Sequence, residues 1–479
     1  MAGVLPSNVS FFMQRLQGVS TSHFKIHPQT DGNQTSGKIV RFELPSNTLI
    51  NLRNTRLFFN ANTAGAGTSM PNDVSSFLER VSVYMGGVLV QNGFQGYNVL
   101  KHAKAALAGS KCSSTLGHPE IVRKISYHNG AIFANADPET YKTNGTESFC
   151  IDNWDGLLGT LEPSIVDTGL FPQITLELTL ADDTVCPISA GRVLPDGTGT
   201  AANHFDKTST TANPTYVLSQ MTLQCEVLGM ATSVLDQIVE QRIASVGYLS
   251  MPFKNYYTFV STHVGTSRFN VNSASWDRLW LAYRPTTYST KSAPKIVSGY
   301  KKAGAFVDDA AGQTAADIDI GVPQYDTGGV LDTNKERYIS NYFKFKEIAS
   351  VAADPAYFQL QVNSANIPAY RMTTPEAYAM SMGALDMYDK NHKLTLDQYR
   401  KDFFVQCYRF CLPESDFNRL ASGLDTRSVS AMGSLTTENI ASCNLHMFAE
   451  CTAELRLGKK RFRDYDLNLH CPKQVQVGA

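Results

Sequence analysis

A hairpin followed at once by a helix is predicted twice in this chain, once in each half. In the first half "SVYMGGVLV" precedes "YNVLKHAKAALAG", and in the second "FQLQVNSANI" precedes "TTPEAYAMSMGAL". Gly86 and Gly87 supply the positive φ angles that a two-residue β-turn needs, and the second turn is predicted at 363–366. Thr373 and Glu376 have the spacing of a helix capping box. The same unit in both halves indicates an ancient duplication, although residue identity between the halves is low.

The segments around these units alternate apolar and polar residues with the two-residue period of a half-buried strand. The apolar positions predicted to face a core are Val40, Phe42, Leu44, Leu57, Phe59, Ala61, Ile174, Leu176, Leu178, Leu180, Met221, Leu223, Cys225, Val227, Leu279, Leu281, Tyr283, Phe358, Leu360 and Val362. We interpret 40–44 and 57–61 as the first two strands of the first domain. Helices do not alternate regularly with strands, which favours an antiparallel β-sandwich or jelly roll over an α/β fold.

With 479 residues the chain is too long for one ordinary core, so two or three domains are expected. The predicted divisions are an N-terminal arm at 1–36, a first β domain at 37–231, a connecting helix at 232–247, a second β domain at 248–458 and a C-terminal tail at 459–479. The long polar segments 183–215 and 285–338 are expected on the surface.

The charge balance gives no general electrostatic reason to bind nucleic acid or acidic membranes. The net charge is −1 and 18% of the residues are charged. Many Asn, Thr, Ser and Gly residues suit contacts with neutral protein partners. The first residues lack the basic and apolar regions of a secretory signal, and no apolar run reaches the roughly 18 residues of a membrane-spanning helix. We therefore expect synthesis in a cytosol-like compartment rather than secretion.

The sequence predicts no catalytic, cofactor-binding or metal-binding residue. Phosphate-loop, dinucleotide-binding, nucleophile-elbow and zinc-protease motifs do not occur in it. It has nine cysteines without a CxxC pair, and Cys407 and Cys411 lie on a predicted strand, which favours buried thiols over a zinc site. Isolated histidines in five polar or strand contexts are predicted to be structural: His128, His204, His263, His392 and His446.

One acidic pair and one basic run leave functional alternatives open. Asp152 and Asp155 flank Trp154, and a tryptophan beside two carboxylates suits glycan binding or cleavage, although a strand end followed by a turn is favoured. Trp276 and Trp280 offer a second place for such a groove. A basic run near the C-terminus suits contact with nucleic acid or acidic head groups. It also suits protection of a strand edge, and this second interpretation is favoured. The run consists of Arg456, Lys459, Lys460, Arg461 and Arg463.

Four stretches, within roughly residues 35–460, carry a family resemblance. "VRFELPSNTLINLRNTRLFFNAN" is similar to the opening strands found in polinton-like viruses and virophages, and "GLLGTLEPSIVDTGLFPQITLEL" resembles late strands of the same module. "SWDRLWLAYRP" and "YFQLQVNSANIPAYRMTTPEAYAMSM" resemble the second module. The chain thus resembles the double jelly-roll major capsid proteins of icosahedral double-stranded DNA viruses. That resemblance implies a mainly β fold of two tandem eight-stranded antiparallel jelly rolls with short inserted helices.

The resemblance also implies a structural function in a virion, without enzymatic activity and without a cofactor. Three chains would form a homotrimeric, pseudo-hexagonal capsomer, and capsomers would tile a shell together with penton and minor capsid proteins. No specific nucleic-acid sequence is implied, and contact with a membrane stays open. Tyr256, Tyr257, Trp276 and Trp280 are expected to fill contacts between chains. The segments 183–215 and 285–338 are expected to face outward and both termini inward; the alternative function is a tandem jelly-roll glycan-binding or glycan-cleaving protein.

Overall fold

The computed structural model describes a large part of the chain. The described residues are 20–64, 71, 73–108, 147–186, 215–229, 244–245, 247–286, 288, 301–302, 305–306, 341–343, 345–347, 355–384, 396, 399–400, 403–412, 422–427, 431–459 and 465–470. The connecting helix predicted at 232–247 falls outside them except for 244–245 and 247, and most of the two long polar segments also falls outside.

Both halves of the chain are built mainly from strands. The first half contains β1 (Ser20–Ile26), β2 (Gln34–Thr35), β3 (Ile39–Glu43), β4 (Leu49–Ala64), β5 (Leu78–Met85), β6 (Val88–Gln95), helix α1 (Tyr97–Ala108), β7 (Glu147–Ile151), helix α2 (Leu157–Thr160), β8 (Ile165–Asp167), β9 (Ile174–Leu180) and β10 (Thr215–Gly229). The second half contains β11 (Tyr248–His263), β12 (Thr266–Val271), β13 (Trp276–Arg284), β14 (Lys301–Lys302), β15 (Ala305–Phe306), β16 (Tyr357–Val362), β17 (Ala365–Thr373), helix α3 (Thr374–Gly383), β18 (Val405–Arg409), β19 (Ala431–Glu438), β20 (Cys443–Lys459) and β21 (Tyr465–His470).

The two halves have the same sheet topology. The first pairs its strands in the orders β1-β10-β4-β7 and β3-β9-β5-β6, and the second in the orders β11-β20-β13-β18 and β12-β19-β16-β17. If the eight principal strands of each half are counted along the chain, both halves have the orders 1-8-3-6 and 2-7-4-5. Two four-stranded antiparallel sheets with this connectivity form a jelly roll. The predicted fold is therefore confirmed, and the shared strand order is what a duplication would give.

The interpretation of 40–44 and 57–61 as the first two strands is wrong. They lie in β3 and β4, the second and third principal strands, and these belong to different sheets. The first strand is β1, inside the segment predicted to be an arm, and it pairs with β10 from Ser20 opposite Gly229 to Ile26 opposite Leu223. Its sequence "STSHFKI" has no apolar alternation, because six of its seven residues are exposed in the single chain.

The predicted apolar positions do form the cores. All twenty are buried, and they lie in the large apolar cluster that fills the two sandwiches. The alternation that predicted them follows from the geometry of a strand, in which successive side chains point to opposite faces. On β9, for example, Ile174, Leu176, Leu178 and Leu180 all point inward.

The two hairpins and the second helix begin as their sequences predict. Gly86 and Gly87 have φ angles of 58° and 80°, and the matching turn of the second half is Asn363-Ser364 at 48° and 71°, shorter than the predicted 363–366. Both residues of each turn have positive φ, as a two-residue hairpin turn requires. At the start of α3 the Thr373 backbone N–H donates to Glu376 Oε2 at 2.7 Å, which completes the capping box.

The two jelly rolls stand side by side and point in the same direction. Near the start of β11, the Glu162 N–H donates to the Pro252 carbonyl at 3.0 Å and the Lys254 N–H donates to Thr160 Oγ1 at 2.8 Å. Further along the same strand, Thr258 Oγ1 donates to the carbonyl of Gln95 at the end of β6. Two separate parts of the first jelly roll, around Thr160 and at the end of β6, thus contact β11 one after the other.

Candidate functional site

The acidic pair beside Trp154 does not form a glycan groove. Trp154 is 4% exposed, and its indole N–H donates to the Thr55 carbonyl at 2.8 Å. Trp276 and Trp280 are fully buried, so all three tryptophans of the chain lack a free ring face on which a sugar could stack. Asp155 lies instead against two lysines of α1, at 2.6 Å from Lys104 Nζ and 3.7 Å from Lys101 Nζ.

These lysines fix the protonation of Asp155. Burial favours its neutral form, but the charges of Lys104 and Lys101 outweigh burial and lower its pKa below the ordinary value. A general acid needs the opposite shift, because it must hold its proton near neutral pH. Asp155 is therefore suited to an ion pair, and the structure does not support the glycan alternative.

The described cysteines are buried, and His263 is hydrogen-bonded inside the second jelly roll. The described cysteines, Cys407 and Cys411 among them, are buried, as predicted, and no group of three or more described His, Cys, Asp or Glu side chains could hold a metal ion. His263 Nδ1 lies 2.6 Å from Ser267 Oγ, and its Nε2 lies 2.7 Å from Thr437 Oγ1. Within the described ranges, no helix is long and apolar enough to cross a membrane. His128, His204, His392, Cys112 and Cys471 lie outside the described residues.

The described part of the basic run belongs to a strand. Arg456 lies on β20, where its Nη2 is 2.6 Å from Glu454 Oε2 and its guanidinium carbon is 4.7 Å from the centroid of the Tyr248 ring. These contacts agree with a charged strand edge. Lys460, Arg461 and Arg463 lie outside the described residues.

The most elaborate site of the described structure is the junction between the two jelly rolls. Helix α1 and strand β6 of the first jelly roll lie against the outer face of the sheet β11-β20-β13-β18, the face turned away from the core of the second jelly roll. As a result all nine residues of β13 are buried. Alternation predicted that Leu279, Leu281 and Tyr283 face a core, and they do; the opposite face, with Arg278, Trp280 and Arg284, is buried against the first jelly roll.

Charged and aromatic groups hold this junction. Lys104 of α1 donates to Tyr256 Oη at 2.6 Å while it is paired with Asp155, and its ammonium lies 5.8 Å from the Trp280 ring centroid. On the second jelly roll, Glu450 accepts hydrogen bonds from Arg278 Nη1 at 3.2 Å and from Trp280 Nε1 at 3.0 Å.

Glu450 is ionised inside this junction. It is 2% exposed, and burial favours its neutral form, but the nearby charges of Arg278, Lys104 and Lys254 lower its pKa. Lys254 is itself paired with buried Asp277 at 2.6 Å. When one partner of such an ion pair is removed, the other is left as a buried charge without a countercharge. These pairs therefore fix how the two domains meet.

A second group of residues crosses the junction at its other end; we call it the junction cluster, consisting of Arg284, His446, Tyr342, Phe343 and His102. Arg284 Nη1 donates to His446 Nε2 at 2.8 Å, and the guanidinium carbon lies 4.2 Å from the Tyr342 ring centroid. Tyr342 meets Phe343 at 5.0 Å, and Phe343 stacks on His102 of α1 at 3.8 Å, centroid to centroid.

The aromatics expected between chains serve other purposes. Tyr256 and Trp280 are buried at the junction within one chain, and Trp276 is in the core of the second jelly roll, where it meets Phe269 edge-on at 6.1 Å. Tyr257 is partly buried and packs against the same apolar cluster. The expectation that these residues fill contacts between chains is therefore wrong for Tyr256, Trp276 and Trp280.

The surfaces equivalent to the junction are open elsewhere in the chain. Strand β1, the counterpart of β11, is exposed apart from Ile26. On α3, the counterpart of α1, Pro375, Glu376 and Ala379 are exposed, and Tyr370 on β17 is 57% exposed. One jelly roll thus has its outer sheet face covered, and the described residues do not cover that of the other.

Searches against known proteins agree with this architecture. Among solved structures, the chain matches the PBCV-1 virus capsid protein with a TM-score of 0.51 and 12% identity, covering 95% of this chain and 97% of that one. It matches the Faustovirus major capsid protein with a TM-score of 0.52 and 9% identity, covering 94% of each chain. The chain has the double jelly-roll fold of these major capsid proteins. No family model and no curated protein matches its sequence.

The double jelly roll places residues together that the sequence did not single out. Lys101 and Lys104 were part of a predicted helix, and Arg278, Arg284 and Glu450 had no predicted function. A weak signal was present: Trp280 lies on the supposedly solvent-facing side of "WDRLWLAYR", between two arginines. A large aromatic between charges on the polar face of a strand is typical of a buried contact rather than of an open surface.

Proposed function

We propose that this chain is a major capsid protein that forms homotrimeric, pseudo-hexagonal capsomers, and that these capsomers tile an icosahedral viral shell. The observation that carries the proposal is that one contact between jelly rolls is made inside the chain, while the described residues leave both of its equivalent surfaces open. The shared fold of the PBCV-1 and Faustovirus capsid proteins supports it.

The contact inside the chain is head-to-tail, because the helix side of the first jelly roll meets the sheet face of the second. Repetition of a head-to-tail contact gives a closed ring when the rotation closes. In such a ring, α3 and β17 of one chain meet the sheet face β1-β10-β4-β7 of the next chain. Three chains would then supply six jelly rolls, which gives a capsomer its pseudo-hexagonal outline.

The open sheet face has a composition suited to a contact between separately folded chains. Its half-buried outward residues include the uncharged Phe58, Asn60, Thr222 and Gln224 beside the oppositely charged Arg56 and Glu226. Asn60 already hydrogen bonds to Gln220 at 2.8 Å, which orders the amides on this face. Interfaces of this kind combine an apolar centre with hydrogen-bonding amides and hydroxyls.

The parallel orientation of the two jelly rolls supports an upright position in a shell. Thr215, which follows the segment 187–214, pairs with Ala64, and Arg284, which precedes the segment 289–300, pairs with Asn444. Both segments therefore leave the sheets at the same end of the molecule, and β1 begins and β20 ends at the other. We propose that the loop end faces outward and the end with the termini faces inward.

The partners of the capsomer would be neighbouring capsomers, a penton protein and minor capsid proteins. The protein would be made in the host cytoplasm or a virus factory and would then be located in the virion shell. A shell function requires no catalytic group. An electron-microscopy map of assembled particles gives the most direct test of orientation. A map with the 285–338 segment on the inner surface would overturn that part of the proposal.

Two threonine substitutions test the trimer. Thr222→Trp adds a large ring to the open sheet face of the first jelly roll, and Thr436→Trp adds the same ring to exposed β19 as a matched control. In light scattering at micromolar concentration, we expect the wild type and T436W to be trimers and T222W to be a monomer with unchanged circular dichroism. A monomeric wild type, or a T222W trimer, would contradict the proposed contact.

A further inference from the structure

The junction cluster contains a histidine whose hydrogen bond can exist in only one protonation state. An arginine side chain has donors and no acceptor, so the 2.8 Å contact between Arg284 Nη1 and His446 Nε2 requires an unprotonated Nε2. His446 therefore carries its proton on Nδ1 and is neutral. Protonation would turn the acceptor into a donor and place two cations in contact.

This contact is closed to water. Arg284 is fully buried and His446 is 6% exposed, so solvent cannot screen the charge of a protonated pair. Among the described residues, Arg284 Nε and Nη2 and His446 Nδ1 have no hydrogen-bond partner, and the guanidinium otherwise lies against the rings of Tyr288 and Tyr342. Burial and the Arg284 charge hold the pKa of His446 well below its ordinary value.

The first jelly roll contributes a second neutral histidine to the same cluster. His102 of α1 stacks on Phe343 and lies 2.7 Å from Ser76 Oγ, and burial lowers its pKa to about 4. The charged neighbours of His102 are Asp73, Arg284 and Lys101. The described carboxylate that acts on Arg284 is Glu79 of β5, whose own pKa is raised by burial. Protonation of Glu79 removes negative charge from the cluster as the pH falls.

We propose that the junction cluster is an acid-sensitive latch between the two jelly rolls. Protonation of His446 breaks its bond to Arg284, repels the guanidinium and loosens the contact of Tyr342 and Phe343 with α1. The proposal goes beyond the capsid function and does not depend on trimer formation, because every residue of the cluster belongs to one chain. In a shell, such a latch would couple acidification to separation of the two modules.

The direction of the pH effect follows from the lowered pKa. A group whose pKa is lower in the closed state contributes stability that is complete above its ordinary pKa and is lost as the pH falls towards the lowered value. For histidine that loss begins below about 6.5. If His446 is free to protonate only in the open state, the open state gains roughly thirtyfold in population between pH 8 and pH 5.

Hydrogen–deuterium exchange of the full-length chain tests the latch. The readout is the exchange rate of the α1 amides, 97–108, at pH 8 and pH 5 after correction for the intrinsic pH dependence of exchange. We expect wild-type protection of α1 to fall by at least about tenfold at pH 5. His446→Gln, whose amide oxygen can accept from Arg284 without titrating, should clearly reduce that change and leave only the part that protonation of His102 contributes.

Two further variants make the outcome specific. His263→Gln removes another buried histidine that lies inside the second jelly roll, away from the junction, and should leave the acid response of α1 as in the wild type. If H446Q does not fold, Arg284→Met provides the second test. It removes the repulsion between the two cations but leaves His446 buried, so the acid response should shrink in part. An equal acid response in wild type, H446Q and R284M, or no response in wild type, would overturn the proposal.

Discussion

The two jelly rolls share one strand order but bury their corresponding sheets differently. In the second, the sheet β11-β20-β13-β18 is covered on both faces, and its outer face contains ion pairs, buried aromatics and the junction cluster. In the first, the described residues cover the sheet β1-β10-β4-β7 on its inner face only, and its outer face contains amides, hydroxyls and Phe58 beside the charged Arg56 and Glu226.

This difference shows how a duplicated fold separates two kinds of contact. A junction inside one chain forms during folding and its two sides need not be soluble apart before assembly, so it can include buried charges that tolerate no missing partner. A contact between chains must be soluble before assembly, so a neutral polar face is better suited to it. The two outer faces therefore need different residues although their backbones correspond.

Removal of Glu450 should have the largest effect on the covered sheet. Glu450→Gln leaves buried Arg278 without a countercharge, and we expect a loss of about 3–5 kcal/mol in the free energy of unfolding of the second jelly roll. The matched change on the open face is Glu226→Gln. Because Glu226 accepts its hydrogen bonds from Asn51 and Asn54 at the surface, this substitution should lower the free energy of unfolding by less than about 1 kcal/mol. Chemical denaturation followed by fluorescence measures both; equal losses would contradict the distinction between the faces.

The two inserted helices should respond differently to truncation. Leu100 of α1 is fully buried, so Leu100→Ala should lower the free energy of unfolding by about 2–5 kcal/mol. Met380 of α3 is partly buried in the single chain, so Met380→Ala should cost less than about 1.5 kcal/mol in the monomeric T222W background. In the trimeric background the cost at Met380 should rise, which thermal unfolding of both forms would reveal. An unchanged cost would exclude α3 from the contact between chains.

Asp155 should determine the pH below which the charged end of the junction loses stability. Its lowered pKa means that the ion pair with Lys104 contributes fully above the ordinary aspartate value of about 3.9 and is lost as the pH falls through the lowered value. Asp155→Asn should cost about 1–3 kcal/mol at pH 7 and much less at pH 2.5. Unfolding curves at the two pH values check this, and a cost independent of pH would show that Asp155 acts only through packing. The ion pair of Asp155 is therefore lost at a lower pH than the one at which the effect of His446 begins.

The capping box of α3 should have the smallest effect. Thr373→Ala removes a helix-capping side chain and should cost about 1 kcal/mol. Helix α1 has no equivalent, because Gly96 with φ of 73° precedes it and packing against the junction holds it. Circular dichroism during thermal unfolding of T373A measures the loss. A loss of several kcal/mol would show that α3 depends on its cap more than packing and exposure indicate.

Most of the fold could be predicted from residue patterns, and the junction could not. The alternation in β4, β9 and β10, the double glycine at 86–87 and the capping box all act within a few residues, so the sequence displays them directly. Strand β1 was missed for the same reason: its partner β10 lies far away along the chain, and "STSHFKI" has no local signal. The candidate site was missed because Lys104, Arg284 and Glu450 are distant in sequence.

The sequence by itself determined that this chain would form two antiparallel sandwiches, because the two-residue period of apolar side chains requires sheets with one buried face. Only the tertiary structure decided which outer face would be covered. Arg278, Trp280 and Arg284 alternate with core residues as a solvent-facing row would, and their burial follows from α1, which lies across them. Burial is a property of the neighbours that a residue acquires, and those neighbours lie in another domain.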